Sequence, residues 1–191
     1  PNACLTTAIV ATSSQRQIQL EKTLASFCQY KDEDFIFIVV DDGSPEEIRL
    51  PEVPFSVEVV RVTNKTWRNT CVPFNLGFIQ ALKYDPEIII IQNVECLHSG
   101  DILKAARKVT DETVLSFACY SLGYGEEPGI TLNNKAAEFN DESSWYNHSV
   151  YRPFGFHFCN AITAANLRKL NGMDERLWQG IAYEDNMFKH Q

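Results

Sequence analysis

The sequence contains no closely spaced pair of cysteines and no pair of histidines at metal-binding spacing. Its six cysteines occur singly, which argues against zinc-finger and CxxC redox sites. The four histidines lack the HxxxH spacing of helical zinc sites. Isolated cysteines in a chain of this size are typical of buried thiols in a reducing compartment, so we expect the protein to be cytoplasmic.

A long apolar run and an excess of basic residues are also missing. A membrane-spanning helix needs about 20 apolar residues, whereas the longest apolar runs here are only a few residues long. The 17 basic residues face 25 acidic ones, for a net charge of −8. Nucleic-acid-binding proteins show basic surfaces instead. We therefore expect no membrane span and no nucleic-acid partner, with peripheral membrane attachment as the one alternative to a free cytoplasmic protein.

The composition is that of an ordinary globular domain. Hydrophobic residues make up 45% of the 191 residues and charged residues 22%, which is enough for one domain with a sizeable core. We expect a single domain over residues 1–191. Because sequence motifs continue almost to the last residue, we also expect the domain to be truncated at its C-terminus.

Apolar, β-branched segments alternate with amphipathic helical patterns along the chain. This alternation predicts an α/β fold with a mostly parallel central sheet flanked by helices. The expected strands cover residues 3–11, 35–40, 56–62, 87–91, 113–122 and 154–164, and the expected helices cover residues 16–30, 72–84, 101–109 and 165–170.

Polar side chains follow three of these strands where each strand ends. In open parallel sheets, ligands bind just beyond the carboxyl ends of the strands. We therefore expect a site formed by Thr12 and Ser13, by Asp41 and Asp42, and by Asn93 and Glu95. The alternative for the two aspartates is a capped turn ahead of Gly43.

Residues 123–153 form a long polar segment that carries aromatic side chains. A loop of this length in a compact domain is usually functional or disordered. Trp145 and Tyr146 could contact a sugar ring through their apolar faces. Anchoring of the loop to the core is the equally weighted alternative.

Four motifs together resemble the family 2 glycosyltransferases, which have the GT-A fold of the nucleotide-diphospho-sugar transferase superfamily. Val39–Ser44, which reads VVDDGS, follows a first strand that ends at Thr12 and Ser13. The segment 170–175 is similar to that family's GGFDE stretch, and 183–185 to its ED motif. The family's N-x-G is matched by 75–77, and the matches extend over residues 5–186.

The resemblance implies an enzyme that moves a sugar from a nucleotide-diphosphate donor, with UDP favoured, to a hydroxyl of a saccharide or other acceptor, with inversion. It implies a nucleotide-sugar-binding half at residues 1–98 and an acceptor-binding half at residues 99–191. The implied donor-binding residues are Thr12, Ser13, Asp41, Asp42, Arg68, Asn75 and Asn93. A solvated surface charge is the alternative for Arg68.

The resemblance also assigns the chemistry. Asp185 matches the position of the base that takes the proton of the acceptor hydroxyl, and Glu184 would orient the acceptor or the base. Two acids near a helix N-terminus are the alternative, since the helix dipole favours them there. On the acceptor side we expect Trp145, Tyr146 and His157.

The family's metal motif, DxD, is altered here to Asn93-Val94-Glu95. Glu95 and Asn93 can still contribute oxygen ligands to Mn²⁺ or Mg²⁺, and His190 follows the ED motif where some GT-A enzymes place a histidine ligand. We expect a metal-assisted reaction, although the loss of the first acid weakens the expected site. A polar loop that ends the strand is the alternative.

Two other functions share parts of this pattern. A sugar-phosphate nucleotidyltransferase would carry a Gly-rich basic loop after the first strand, which residues 11–16 lack. A non-catalytic nucleotide- or carbohydrate-binding module would tolerate the altered metal motif. It would have no need of the acids Glu184 and Asp185.

Overall fold

The computed structural model describes residues 6–13, 15–30, 32–120, 145–150, 153, 158–181 and 188, without the side chains of Thr12 and Tyr146. The main feature within these residues is a six-stranded sheet. Its strands are β1 (Thr7–Ser13), β2 (Phe35–Asp41), β3 (Ser56–Arg61), β4 (Ile88–Asn93), β5 (Leu115–Ser116) and β8 (Cys159–Thr163). Their spatial order is β3-β2-β1-β4-β8-β5. The first four in the spatial order run parallel, and β8 is antiparallel to both of its neighbours. The expected α/β class with a mostly parallel sheet is confirmed.

Helices cover both faces of the sheet and create two apolar cores. The helices are α1 (Gln17–Phe27), α2 (Cys71–Leu82), α3 (Ile102–Ala106) and α4 (Ala164–Leu170). On one face Leu20, Leu24 and Phe27 of α1 pack on alternate residues of β1 and β2. On the other face α2 and α4 pack on the intervening residues of the same strands. Because β2 is buried along its whole length, its apolar residues run without alternation.

Helix α2 lies close to the sheet at Gly77. A Cβ placed there would lie 2.3 Å from Val10 Cγ1 and 3.0 Å from Val40 Cγ2. Glycine at this position therefore permits the close approach of α2 to the sheet. Helix α4 ends at Asn171, which has a left-handed φ of 58°, followed by Gly172 at 76°.

The expected strand at 113–122 is wrong in extent. Its first part forms β5 of the large sheet, and its second part, β6 (Cys119–Tyr120), pairs instead with β7 (Trp145–Asn147) in a two-stranded ribbon. The strand expected from residue 154 is described only from residue 159. Local sequence patterns could not indicate this change of sheet, because the hydrogen-bonding partners lie about 25 residues or more further along the chain.

No helix within the described residues is long and apolar enough to cross a membrane.

Candidate functional site at the carboxyl edge of the sheet

The register of the parallel strands aligns the polar residues expected at the strand ends. Ser13 lies opposite Asp41, and Asp41 lies opposite Arg61. On the other side of β1, the Thr12 backbone lies opposite Asn93. The strand ends therefore form one row along the carboxyl edge of the sheet, as expected.

Ser13 and Asp41 are buried acceptors with unused capacity. Asp41 Oδ1 accepts a hydrogen bond from the Ser44 amide at 3.0 Å. Asp41 Oδ2 lies 3.5 Å from Arg61 Nη1, which is too long for a hydrogen bond. Within the described part of the chain, Asp41 Oδ2 and Ser13 Oγ have no hydrogen-bond partner. Leaving such atoms buried and unpaired costs about 1–3 kcal/mol each, and a donor that reached them would recover this energy.

Asp42 is engaged differently from its neighbour. Its Oδ2 lies 2.5 Å from Lys65 Nζ, and its Oδ1 accepts a hydrogen bond from Trp67 Nε1 at 2.8 Å. Both carboxylate oxygens therefore hold the loop that follows β3. Asp42 thus fixes a lysine and a tryptophan beside the row of strand ends.

The same loop is fixed at its far end. The backbone amides of Arg68 and Asn69 both donate to the carbonyl of Trp178, at 2.9 and 3.1 Å. The Arg68 backbone is thereby positioned while its side chain is exposed to solvent. A guanidinium presented in this way can bind a phosphate group.

At the end of β4, Glu95 is already paired. Its Oε2 lies 2.6 Å from Nη1 of Arg16, and its Oε1 lies 3.4 Å from the side-chain nitrogen Nδ2 of Asn93. The described residues contain no group of three or more His, Cys, Asp or Glu side chains that could hold a metal ion. A divalent ion at Glu95 would have to displace a guanidinium, so these residues do not fit a tight metal site. The third expected ligand, His190, lies outside the described residues.

Asn75 lies on α2, and its amide is used by the loop after α4. Its Oδ1 accepts from the Met173 amide at 2.8 Å, and its Nδ2 donates to the Met173 carbonyl and to Glu175 Oε1, both at 2.9 Å. A Cβ at Gly172 would lie 2.5 Å from Asn75 Oδ1. Asn75 thus ties the GGFDE-like segment to α2, and its expected role as a donor ligand stays a prediction.

Beside this contact lies a crevice of about 660 Å³ between α2 and the end of α4. Among its lining residues, Asp174 accepts two side-chain hydrogen bonds from Arg176 Nε and Nη2. These hydrogen bonds hold the pKa of Asp174 below its usual range. Both groups are therefore charged at neutral pH, and none of the described strand-end residues lines the crevice.

The acceptor side is described only in part. Trp145 is buried in the β6–β7 ribbon, with its ring 5.1 Å from that of Tyr120 and 4.4 Å from that of His148. Those contacts fit the anchoring role that was the alternative for Trp145. The side chain of Tyr146 lies outside the described part, as do His157, Glu184 and Asp185, so their expected roles stay predictions.

Sequence reasoning missed three basic residues that pair with the strand-end acids: Arg16, Arg61 and Lys65. Each stands in the loop after a strand or at the strand's last residue. A basic residue within a few positions of a strand's end was the available signal. It is weak, because most such residues are solvated surface charges.

Comparisons with known proteins give structural matches only. No family model matches the sequence, and no curated protein is similar to it. The crystal structure of S. aureus TarS 1-349 in complex with UDP matches with a TM-score of 0.65 at 16% identity, covering 96% of this chain and 53% of that chain. The same protein in complex with UDP-GlcNAc matches with a TM-score of 0.58 at 15% identity.

The chain has a GT-A-like fold. At this level of identity the likeness establishes the fold alone. A further TarS structure matches with a TM-score of 0.65 and is covered over only 32% of its length. The chain therefore spans between about a third and a half of the TarS chains that it matches.

Proposed function

We propose that this protein is a glycosyltransferase that binds a nucleotide-diphosphate sugar, with UDP favoured, at the carboxyl edge of the sheet. The observation that carries the proposal is the pair of buried acceptors Ser13 Oγ and Asp41 Oδ2, which have no hydrogen bond within the described residues. They lie at the ends of two adjacent parallel strands in a GT-A-like fold. A nucleoside offers the base N–H and ribose hydroxyl donors that these atoms lack.

The position of the two acceptors within the sheet supports this choice. The strand order reverses at β1, which has β2 on one side and β4 on the other. Ligands of open α/β sheets bind in the crevice at such a switch point. Ser13 ends β1 at that crevice, and Asp41 lies beside it.

The cations near the crevice suit a diphosphate. Lys65 and Arg61 lie against Asp42 and Asp41, and the side chain of Arg68 is exposed. Fixed cations beside a low-dielectric edge attract phosphate more strongly than mobile surface charges do. The TarS structures hold UDP and UDP-GlcNAc, which supports UDP as the first nucleotide to test.

The transfer itself is proposed from the resemblance. An acceptor hydroxyl would attack the anomeric carbon in one displacement with inversion, while Asp185 takes its proton and Glu184 orients the acceptor. Dependence on Mn²⁺ or Mg²⁺ stays a prediction of the resemblance. Among the described residues, Glu95 is the one carboxylate at the end of β4, and Arg16 already contacts it.

Calorimetry with UDP, GDP and TDP, together with a transfer assay, tests this proposal. We expect UDP to bind, and we expect Asp185→Asn to keep UDP binding while transfer is lost. Failure of all three nucleotides to bind would overturn the proposed function. UDP binding without transfer to any hydroxyl acceptor would favour the non-catalytic binding module.

A further inference from the structure

We infer that Arg16 neutralises the donor diphosphate at the end of β4, in the position where the sequence predicts a divalent metal ion. The inference rests on the proposed function, because it concerns the phosphates of the same donor. It makes Arg16 a positioning and charge-stabilising residue for the leaving nucleotide.

The first step is the pairing of charges along the carboxyl edge. Each of the three strand-end carboxylates lies against its own cation. Glu95 and Arg16 are separated by 2.6 Å, Asp42 and Lys65 by 2.5 Å, and Asp41 and Arg61 by 3.5 Å. The acids at this edge are therefore already neutralised by the protein, although the chain as a whole carries a net charge of −8.

The second step is the position of Arg16. Its backbone is fixed on both sides: the Gln15 amide donates to Ser44 Oγ at 3.2 Å, and the Arg16 carbonyl accepts from the Leu20 amide at 3.0 Å. The guanidinium extends from the end of β1 to the end of β4, where it meets Glu95. It thus crosses the crevice in which the strand order reverses.

The third step is the donor capacity of the guanidinium. Within the described part of the chain, its Nη1 donates to Glu95 Oε2. A guanidinium has five N–H donors in a planar fork that matches phosphate oxygens. The Arg16 side chain is 52% exposed, so about half of its surface can be reached from solvent.

The fourth step is the demand of the reaction. In the transfer, the bond between the anomeric carbon and a β-phosphate oxygen breaks as the bond to the acceptor oxygen forms. The electron pair of the broken bond goes to the phosphate oxygen, and the acceptor proton goes to the base. Negative charge therefore grows on the diphosphate, where a fixed cation lowers the barrier.

The side chains at the end of β4 favour the guanidinium over a divalent ion. The family's first acid is an amide here, Asn93, and its nitrogen side faces Glu95. A cation with a single carboxylate ligand gains little, whereas Arg16 and Glu95 form a charge-assisted contact. The other two strand-end acids, Asp41 and Asp42, also lie against basic side chains, so a guanidinium beside Glu95 follows the same arrangement.

Calorimetry of the whole chain with UDP and with uridine, each in EDTA and in MnCl₂, tests the inference. We expect the affinity of the wild-type protein for UDP to be similar in EDTA and in MnCl₂. We expect Arg16→Ala to weaken UDP binding by about tenfold or more, as for loss of a charge-assisted hydrogen bond. Uridine binding should not change, since uridine has no phosphate. Arg16→Lys should recover part of the affinity for UDP.

Arg107→Ala is the matched control, because Arg107 forms an exposed ion pair with Glu33 beyond the opposite, amino end of β2. We expect it to leave UDP binding unchanged. If UDP binds only with Mn²⁺ and Arg16→Ala keeps that binding, the inference is wrong and the proposed function stands. If neither UDP nor uridine binds under any condition, the inference and the proposed function are both wrong. Retained uridine binding by Arg16→Ala shows that the variant is folded.

Discussion

At the scale of single residues, the candidate site depends on which polar atoms have partners. Asp41 and Asp42 are adjacent and identical in type, and the sequence predicted both as donor-binding residues. The structure separates them, because Lys65 and Trp67 occupy the carboxylate of Asp42 while one oxygen of Asp41 lacks a donor. The sequence could not distinguish the two, since the partners of Asp42 stand 23 and 25 residues further along the chain.

We predict that Asp41→Asn weakens the binding of uridine by about tenfold, as expected for loss of a hydrogen bond to a charged group. Asparagine keeps an oxygen for the Ser44 amide, so the turn after β2 survives. Its NH₂ replaces the Oδ2 acceptor and cannot accept from a nucleoside. Calorimetry with uridine measures the change.

Asp85→Asn provides the control for that experiment, because Asp85 also pairs with an arginine, Arg168, at 2.8 Å. Asparagine also tolerates the left-handed backbone of residue 85, whose φ is 48°. We expect its uridine affinity to equal that of the wild-type protein. Equal affinities of the wild-type protein and Asp41→Asn would favour the capped-turn alternative for Asp41.

At the scale of elements, the sequence predicted most helices and strands, because their apolar periodicity is local. The contacts between helices and strands were harder to predict from the sequence. A glycine inside a helical pattern often has a packing reason, and the structure identifies Val10 of β1 and Val40 of β2 as the neighbours of Gly77. The contact of Asn75 with Met173 joins residues 98 apart in sequence, so no local pattern could indicate it.

We predict that Gly77→Ala lowers the free energy of unfolding by about 2 kcal/mol, the usual cost of overpacking a core. In an exposed helix the same change would stabilise the protein by about 1 kcal/mol. The sign reverses here because the new methyl group would lie 2.3 Å from Val10 Cγ1, inside a packed sheet–helix contact. Urea denaturation measures the difference.

Gly100→Ala serves as the matched control, since a Cβ at Gly100 would have no neighbour within 4 Å. We expect its free energy of unfolding to lie within about 0.5 kcal/mol of the wild-type value. A stabilised Gly77→Ala variant would show that α2 can move away from the sheet without loss of packing.

At the scale of the whole molecule, the sequence predicted the α/β class and the edge of the sheet at which the strand-end polar residues of the candidate site are aligned. It did not predict that basic side chains neutralise the acids at this edge. The strand-end acids could be found because each follows a buried strand directly. The cations that face them come from separate loops, and a net charge of −8 gave no sign of their convergence.

The stability of the whole fold should depend on pH through His98. Its ring lies 4.8 Å from that of Phe27, and its Nε2 lies 3.0 Å from the buried Gln92 Oε1. Burial lowers the pKa of His98 to about 4. The unfolded chain binds this proton near the ordinary pKa of about 6.5, so between these values the unfolded state holds more protons than the folded state. The free energy of unfolding therefore falls as the pH is lowered through this range.

We predict that His98 accounts for a loss of about 2 kcal/mol in the free energy of unfolding between pH 7 and pH 5. Glutamine at this position cannot take a proton, so the loss between pH 7 and pH 5 should be smaller by that amount in His98→Gln, whatever its stability at pH 7. His148→Gln, at the residue directly after β7, serves as the control for the same change of side chain elsewhere in the protein. Urea denaturation at pH 5, 6 and 7 measures all three proteins. Equal losses for wild-type and His98→Gln would mean that His98 titrates alike in the folded and unfolded chains, and that its burial against Phe27 and Gln92 does not exclude the charged form.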